Sequence, residues 1–172
     1  MTDVHSIICL CDIIGYWADP LFCIEKVREF EIQCIKGNHE VAVTGELDPQ
    51  YFNQVARSAI LWTRSQLKEK DITFLSDLNR RIEISQNVLG VHGSPRQPLW
   101  EYVLDRQIAE EIFISFDFKI YFIGHSHIAG YFTFSHKTKM VNYISASDGA
   151  EIKIKQNHSY IINCGSVGQP RD

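Results

Sequence analysis

The chain has 172 residues, 45% of them hydrophobic and 22% charged, with a formal net charge of -4. That is enough chain for one soluble domain with a sizeable core, expected over residues 1–172. The mild negative balance speaks against general nucleic-acid binding and against attraction to acidic membranes. The longest apolar runs, such as IICL and IYFIG, are far too short for a membrane span. No charged start leads into an apolar run and a small-residue cleavage site, so a cytoplasmic protein is expected. The five cysteines, Cys9, Cys11, Cys23, Cys34 and Cys164, are odd in number and sit mostly in apolar runs. They are expected to be reduced, buried small hydrophobes.

The first run, VHSIICL, is apolar and β-branched on both faces, as in a strand buried within a sheet. After the turn region GYWADP, Pro20 opens a helix over PLFCIEKVREF. A short strand, IQCIKG, ends at Asn38-His39-Glu40. Residues 49–78 read as helical, because Ala56, Ile60 and Leu67 recur at three- and four-residue spacing. A second short helix is expected over DITFLSDL, capped by Asp71. RRIEISQNVLGVHG predicts a hairpin turned at Gln86-Asn87, with His92 just past it. Helix returns over DRQIAEEIFISF. KIYFIG is a doubly apolar strand closed by Gly124-His125-Ser126-His127. Four further strands are expected in GYFTFSH, TKMVNYISA, EIKIKQ and SYIINCG. Strand–helix alternation followed by a run of strands predicts a layered α/β protein.

Metal-capable side chains gather where apolar strands end. Asp12 follows IICLC, Asn38 and His39 follow IQCIKG, His92 follows NVLGV, and His125 and His127 follow IYFIG. In α/β sheets such ends bring loops from several strands together. One carboxylate, one amide oxygen and several imidazoles form a mixed oxygen and nitrogen set. That set suits Mn, Fe, Zn or Ni better than Ca, which prefers oxygen alone. It does not suit a structural zinc site, which favours thiolates.

The segments CDIIGY, KGNHE, GVHGSP, GHSHIAGYF and NCGSVGQPRD resemble, in order, the motifs of the calcineurin-like metallophosphoesterases, most of all the small bacterial and archaeal ones. The likeness also takes in WTRSQL, FLSDL and HGSPRQPLWEY. It implies a β-sandwich flanked by helices in four layers, α/β/β/α. It implies that Asp12 bridges two ions, that Asn38, His92 and His125 complete the second ion, and that His127 serves the first. His39 would be no ligand, but would stabilise the transition state or protonate the leaving oxygen. The implied reaction is hydrolysis of a phosphodiester or phosphomonoester, in a small molecule or nucleotide, by in-line attack of a metal-activated water. Tyr16 and Arg96, with Trp17, Trp100 and Tyr102, lie in loops beside the motifs and are candidates for substrate contact. Cys11 stands where the family carries glycine.

Asp3-Val4-His5 spells the Asp-x-His pair that the family places at the end of its first strand. Only six residues separate His5 from Asp12, too few for a turn, a helix and a strand. With Val4 to Leu10 as one strand, Asp3 and Asp12 would lie about 30 Å apart. The expectation is therefore that VHSIICLCDIIGY matches the family's second strand. The first strand, its metal pair and the first helix would be missing, and the other end would be shortened too. One ion is then expected to be well held and a second weakly, with hydrolysis weakened and self-association favoured by an uncovered edge. The alternative function is a non-catalytic module of that fold binding metal or phosphate.

Overall fold

The computed structural model describes residues 4–16, 18–147 and 150–171. Asp3 and Trp17, both named above, lie outside the described residues. The chain forms two compact units, Met1–Arg80 and Arg81–Asp172.

In the first unit, β1 (Ile8–Cys9) pairs in parallel with β2 (Gln33–Cys34), setting Cys9 opposite Cys34. Helix α1 (Pro20–Glu29) starts where Asp19 accepts from the Phe22 N–H at 3.0 Å, with Pro20 at its first position. Proline has no N–H to leave unsatisfied there. Helix α2 (Asn38–Thr44) ends at Gly45, which has a left-handed φ of 88°. A 3-10 turn (Pro49–Tyr51) leads to α3 (Gln54–Gln66) and α4 (Glu69–Ser76). Ile14, Ile24, Ala42, Val43, Ile60 and Leu75 make the core of this unit.

Several expectations are corrected here. VHSIICL is not a long buried strand: β1 has two residues, and Val4 and Ile7 are 71% and 53% exposed. Among the described residues β1 pairs with β2 alone, and the chain turns at Cys11, whose φ is 58°. The helical stretch 49–78 breaks at Leu67 and Lys68, both extended. Asp71 does not cap from outside; it sits inside α4 and accepts from the Lys68 N–H at 3.1 Å. Helix α2 was not expected at all. The cysteines are free, but Cys23 and Cys164 are exposed and the other three only partly buried.

The second unit is a six-stranded sheet in the order β3-β4-β5-β8-β6-β7. The hairpin of β3 (Arg81–Ser85) and β4 (Val88–Val91) turns at Gln86-Asn87 as expected, with Asn87 at φ 64°. Helix α5 (Arg106–Ser115) is capped by Asp105. β4, β5 (Ile120–Ile123) and β8 (His158–Asn163) run in parallel, whereas β6 (Gly130–Ser135) and β7 (Val141–Ser145) run antiparallel to their neighbours. Ile112 and Phe113 of α5 join Val91, Tyr121, Phe132 and Ile161 of the sheet in one core. EIKIKQ is not a strand. The Tyr160 hydroxyl accepts from the Lys155 N–H at 2.8 Å and donates to the Lys153 carbonyl at 3.3 Å, where a strand neighbour would otherwise bond. Helices and a mixed sheet give the α/β class read from the sequence. Among the described residues no helix is long and apolar enough to cross a membrane.

Candidate functional site

Asp12 lies just beyond β1 and is tied to the start of α2. Its Oδ1 accepts from the His39 N–H at 3.2 Å, one of the helix's first backbone donors. Gly37 stands directly before α2, and a Cβ there would fall on Asp12 Oδ1. The glycine is needed for this close approach, since its φ of -98° is open to any residue. Asn38 and His39 are the first two residues of α2 and are buried.

Glu40, which the sequence reading left without a role, braces this corner. Fully buried, it accepts from the N–H groups of Ile13 at 2.8 Å, Ile14 at 3.4 Å and Gly37 at 2.9 Å. One carboxylate thus fixes the loop after Asp12 to the helix that carries Asn38 and His39. The signal was present as the capping-box position three residues after Gly37. The His39 ring is fenced by Tyr16, with centroids 4.3 Å apart, and edge-on by Phe52 at 5.3 Å. Behind it, Gly15 (φ 111°) leaves no space for a Cβ beside His39 Nδ1.

The thiol of Cys11 donates to the Ile35 carbonyl, and burial pushes it well above the usual thiol range. Its left-handed φ explains why a glycine would be at ease here. His5 is exposed, in an irregular stretch before β1.

In the second unit the parallel register of β4 and β5 sets Gly90 opposite Phe122, so both strands release their chains at the same end. The Gly124 N–H donates to the His92 carbonyl at 2.9 Å. The outcome is that His92 Nε2 and His125 Nδ1 stand 3.0 Å apart, both rings buried. His125 and His127 each have φ 62°, a left-handed conformation that costs a non-glycine residue about 1 kcal/mol.

That turn is held by Asn163, at the matching end of β8. Its Nδ2 donates to the Gly124 carbonyl at 2.7 Å and to Ser126 Oγ at 2.9 Å. Its Oδ1 accepts from the Gly165 N–H at 2.9 Å. Asn163 lay inside the motif NCGSVGQPRD but drew no role from the sequence. His127 Nδ1 stands 2.9 Å from the Gln169 carbonyl. A carbonyl can only accept, so Nδ1 carries the proton and Nε2 offers its lone pair. Burial holds His127 below the usual histidine range, with Arg171 and His92 adding to that and the Gln169 carbonyl opposing it.

Tyr102 stacks on His125 with centroids 4.0 Å apart and an interplanar angle of 21°. Arg96 reaches Glu101 with Nε at 2.8 Å and Glu111 with Nη1 at 2.5 Å, so two carboxylates balance its charge. Trp100 is 37% exposed in the same loop.

Among the described residues no group of three or more His, Cys, Asp or Glu side chains is arranged to hold a metal ion. The His92–His125 pair does fit one. Two nitrogens bound to a single ion at about 2.0–2.1 Å lie about 2.8–3.4 Å apart, from right-angled to tetrahedral geometry. The neutral imidazole of His127 is likewise in the form that coordinates.

No protein-family model matches the sequence. An uncharacterized protein of Methanocaldococcus jannaschii is 35% identical over 98% of this chain and 67% of its own length. The crystal structure of a metallophosphoesterase from Sphaerobacter thermophilus is 36% identical, with a TM-score of 0.82 over 99% of this chain and 70% of that one. A hypothetical protein from Pyrococcus horikoshii, 16% identical, shares the fold with a TM-score of 0.66 over 84% of this chain.

Proposed function

Because the chain belongs to the calcineurin-like metallophosphoesterase superfamily, we propose that it hydrolyses phosphate esters of small molecules or nucleotides in the cytoplasm with a divalent transition metal, manganese first. The observation that carries the reading is the approach of two buried imidazole nitrogens, His92 Nε2 and His125 Nδ1, to 3.0 Å at the ends of parallel strands.

Asp12, Asn38, His92 and His125 are taken as metal donors, with His127 as a further one. A bound divalent ion would supply neutralisation of phosphate charge and activation of water. His39 is the proton donor to the leaving oxygen. Gly15 packs against its Nδ1 edge, with Tyr16 tilted beside the ring and Phe52 edge-on to it, and Nε2 is taken as the working atom. Tyr16, partly exposed beside that ring, is placed to meet the substrate.

The test is turnover of bis(p-nitrophenyl) phosphate with Mn supplied, measured together with bound metal. His39→Ala should lower turnover without releasing metal, and Asp12→Ala should weaken metal binding itself. Loss of metal on changing His39 alone would reject its role as proton donor. Metal binding with no turnover in the intact chain would favour the non-catalytic module instead.

A further inference from the structure

The loop between β4 and α5 is more heavily fastened than a surface loop needs to be. Gly93 donates to the Pro98 carbonyl at 2.6 Å and Ser94 to the Gln97 carbonyl at 3.2 Å. A Cβ at Gly93 would meet the backbone of Gln97, Trp100 and Glu101, so the turn is closed tightly on itself. Glu101 then takes both Nε and Nη2 of Arg96, at 2.8 Å and 2.7 Å, and also the hydroxyl of Ser94. The same guanidinium reaches forward to Glu111 on α5. A forked guanidinium between two carboxylates fixes direction as well as distance. The next residue after Glu101 is Tyr102, whose ring lies nearly flat on His125.

We infer that Arg96 and Tyr102 are positioning residues for His125: the Arg96–Glu101 fork seats the Tyr102 ring on the imidazole and holds it in the orientation that presents its donor nitrogen. This rests on the reading of His125 as a metal donor. An imidazole turns about its second side-chain torsion at little cost. A donor that must first be oriented binds its ion less tightly than one already held, and partners around a ligand commonly change affinity by about 10–100-fold. Backbone strain at His125 makes such bracing more useful, because its φ of 62° is not one the residue prefers. The ring, not the hydroxyl, makes the contact.

The experiment uses the full chain. Manganese binding is measured by calorimetry, and the His125 ring protons are followed by NMR without metal, where a stacked tyrosine shifts them upfield. Tyr102→Phe should keep both the shift and the affinity. Tyr102→Ala should lose the shift and bind manganese about 10-fold more weakly. Arg96→Ala should reduce the shift and weaken binding by a smaller factor, and Arg96→Lys, which cannot fork, should resemble it. Melting curves identify any variant that fails to fold, and Tyr102→Leu then serves as the smaller perturbation. Tyr102→Ala that loses the shift yet binds manganese like the parent overturns the inference while His125→Ala still abolishes binding. Unchanged stacking in Arg96→Ala overturns the role of Arg96. Manganese binding unaffected by His125→Ala overturns the assignment of His125 as a donor, and the inference with it.

Discussion

The two units fix their functional side chains with opposite chemistry. In Met1–Arg80 the brace is a buried carboxylate, Glu40, which gathers backbone N–H groups from both sides of the corner. In Arg81–Asp172 it is a buried amide, Asn163, which donates twice to the turn after β5 and accepts once from the Gly165 N–H just beyond its own strand. The difference follows from what each backbone leaves open. A helix start and the loop facing it expose N–H groups, so an acceptor is needed. A turn between strands leaves both carbonyls and N–H groups, so a group with both capacities is needed. The strands of the second unit place its histidines by register. The first unit, with β1 and β2 of two residues each, relies on its brace more heavily.

The largest expected effect tests that reliance. Glu40→Ala strips the Ile13 and Gly37 N–H groups of their acceptor inside the protein and should cost about 3 kcal/mol. Glu40→Gln keeps one accepting oxygen and turns an NH₂ group toward the other donors, so about 1–2 kcal/mol is expected. Chemical denaturation of both variants measures this. If Gln proves as costly as Ala, the brace is not the acceptor described.

The same contrast decided what the sequence could disclose. In the second unit, alternating and doubly apolar runs mark β4, β5, β6, β7 and β8, and His92 and His125 are visible at strand ends, because sheet period and register are written in the residues. EIKIKQ failed because the hydroxyl of Tyr160, on the strand that follows, takes backbone groups of Lys153 and Lys155 that a strand neighbour would otherwise bond. In the first unit, IICL looks like a central strand, yet whether an apolar run is buried depends on neighbours that periodicity does not name. Helix α2 is seven residues long, too short for a periodic signal, and overlaps a motif that is easily read as a strand end. The local bonds of Glu40 to Gly37 and of Asn163 to Gly165 were within reach of the sequence, but their bracing roles were not, because those rest on partners 26–39 residues away. The glycines at 15 and 37 show a cause after the fact, a side chain pressed against the place of a Cβ.

A smaller effect sharpens the comparison from the other unit. Asn163→Ala should cost about 2 kcal/mol. Asn163→Asp should be no milder, because the bonds to the Gly124 carbonyl and Ser126 come from Nδ2, which aspartate lacks. Amide exchange in residues 124–128 should rise in both variants. Here the isosteric swap between acid and amide harms as much as deletion, whereas at Glu40 it should be the milder change. Equal outcomes at the two positions would dissolve the distinction between the braces.

The smallest effect concerns acid. In the second unit, burial pushes the Glu101 carboxyl up, but the hydrogen bonds from Arg96 and Ser94 and the charge of Arg96 outweigh it and hold the group below the usual carboxylate range. Glu111 is lowered as well, first by its bond from Arg96. In the first unit Glu46 follows the same rule, with burial opposed by Lys36, Thr44 and Arg80. A folded-state pKa below the unfolded one means that stability is fully present above the unfolded value and is lost as pH falls through the folded one. All three pairs should therefore be intact at pH 7 and weaken below about pH 4, the ordinary range for glutamate. Arg96 keeps a third of its side chain in solvent, so its pair should contribute under about 1 kcal/mol. Lys36 is nearly enclosed and also donates to the Ser76 carbonyl at 2.8 Å, so Glu46 should carry the larger share of the acid loss. Urea midpoints at pH 7 and pH 3 decide it. Glu46→Gln should flatten the pH dependence more than Glu101→Gln does, and the reverse order would mean that the exposed fork, not the enclosed lysine, dominates the response to acid.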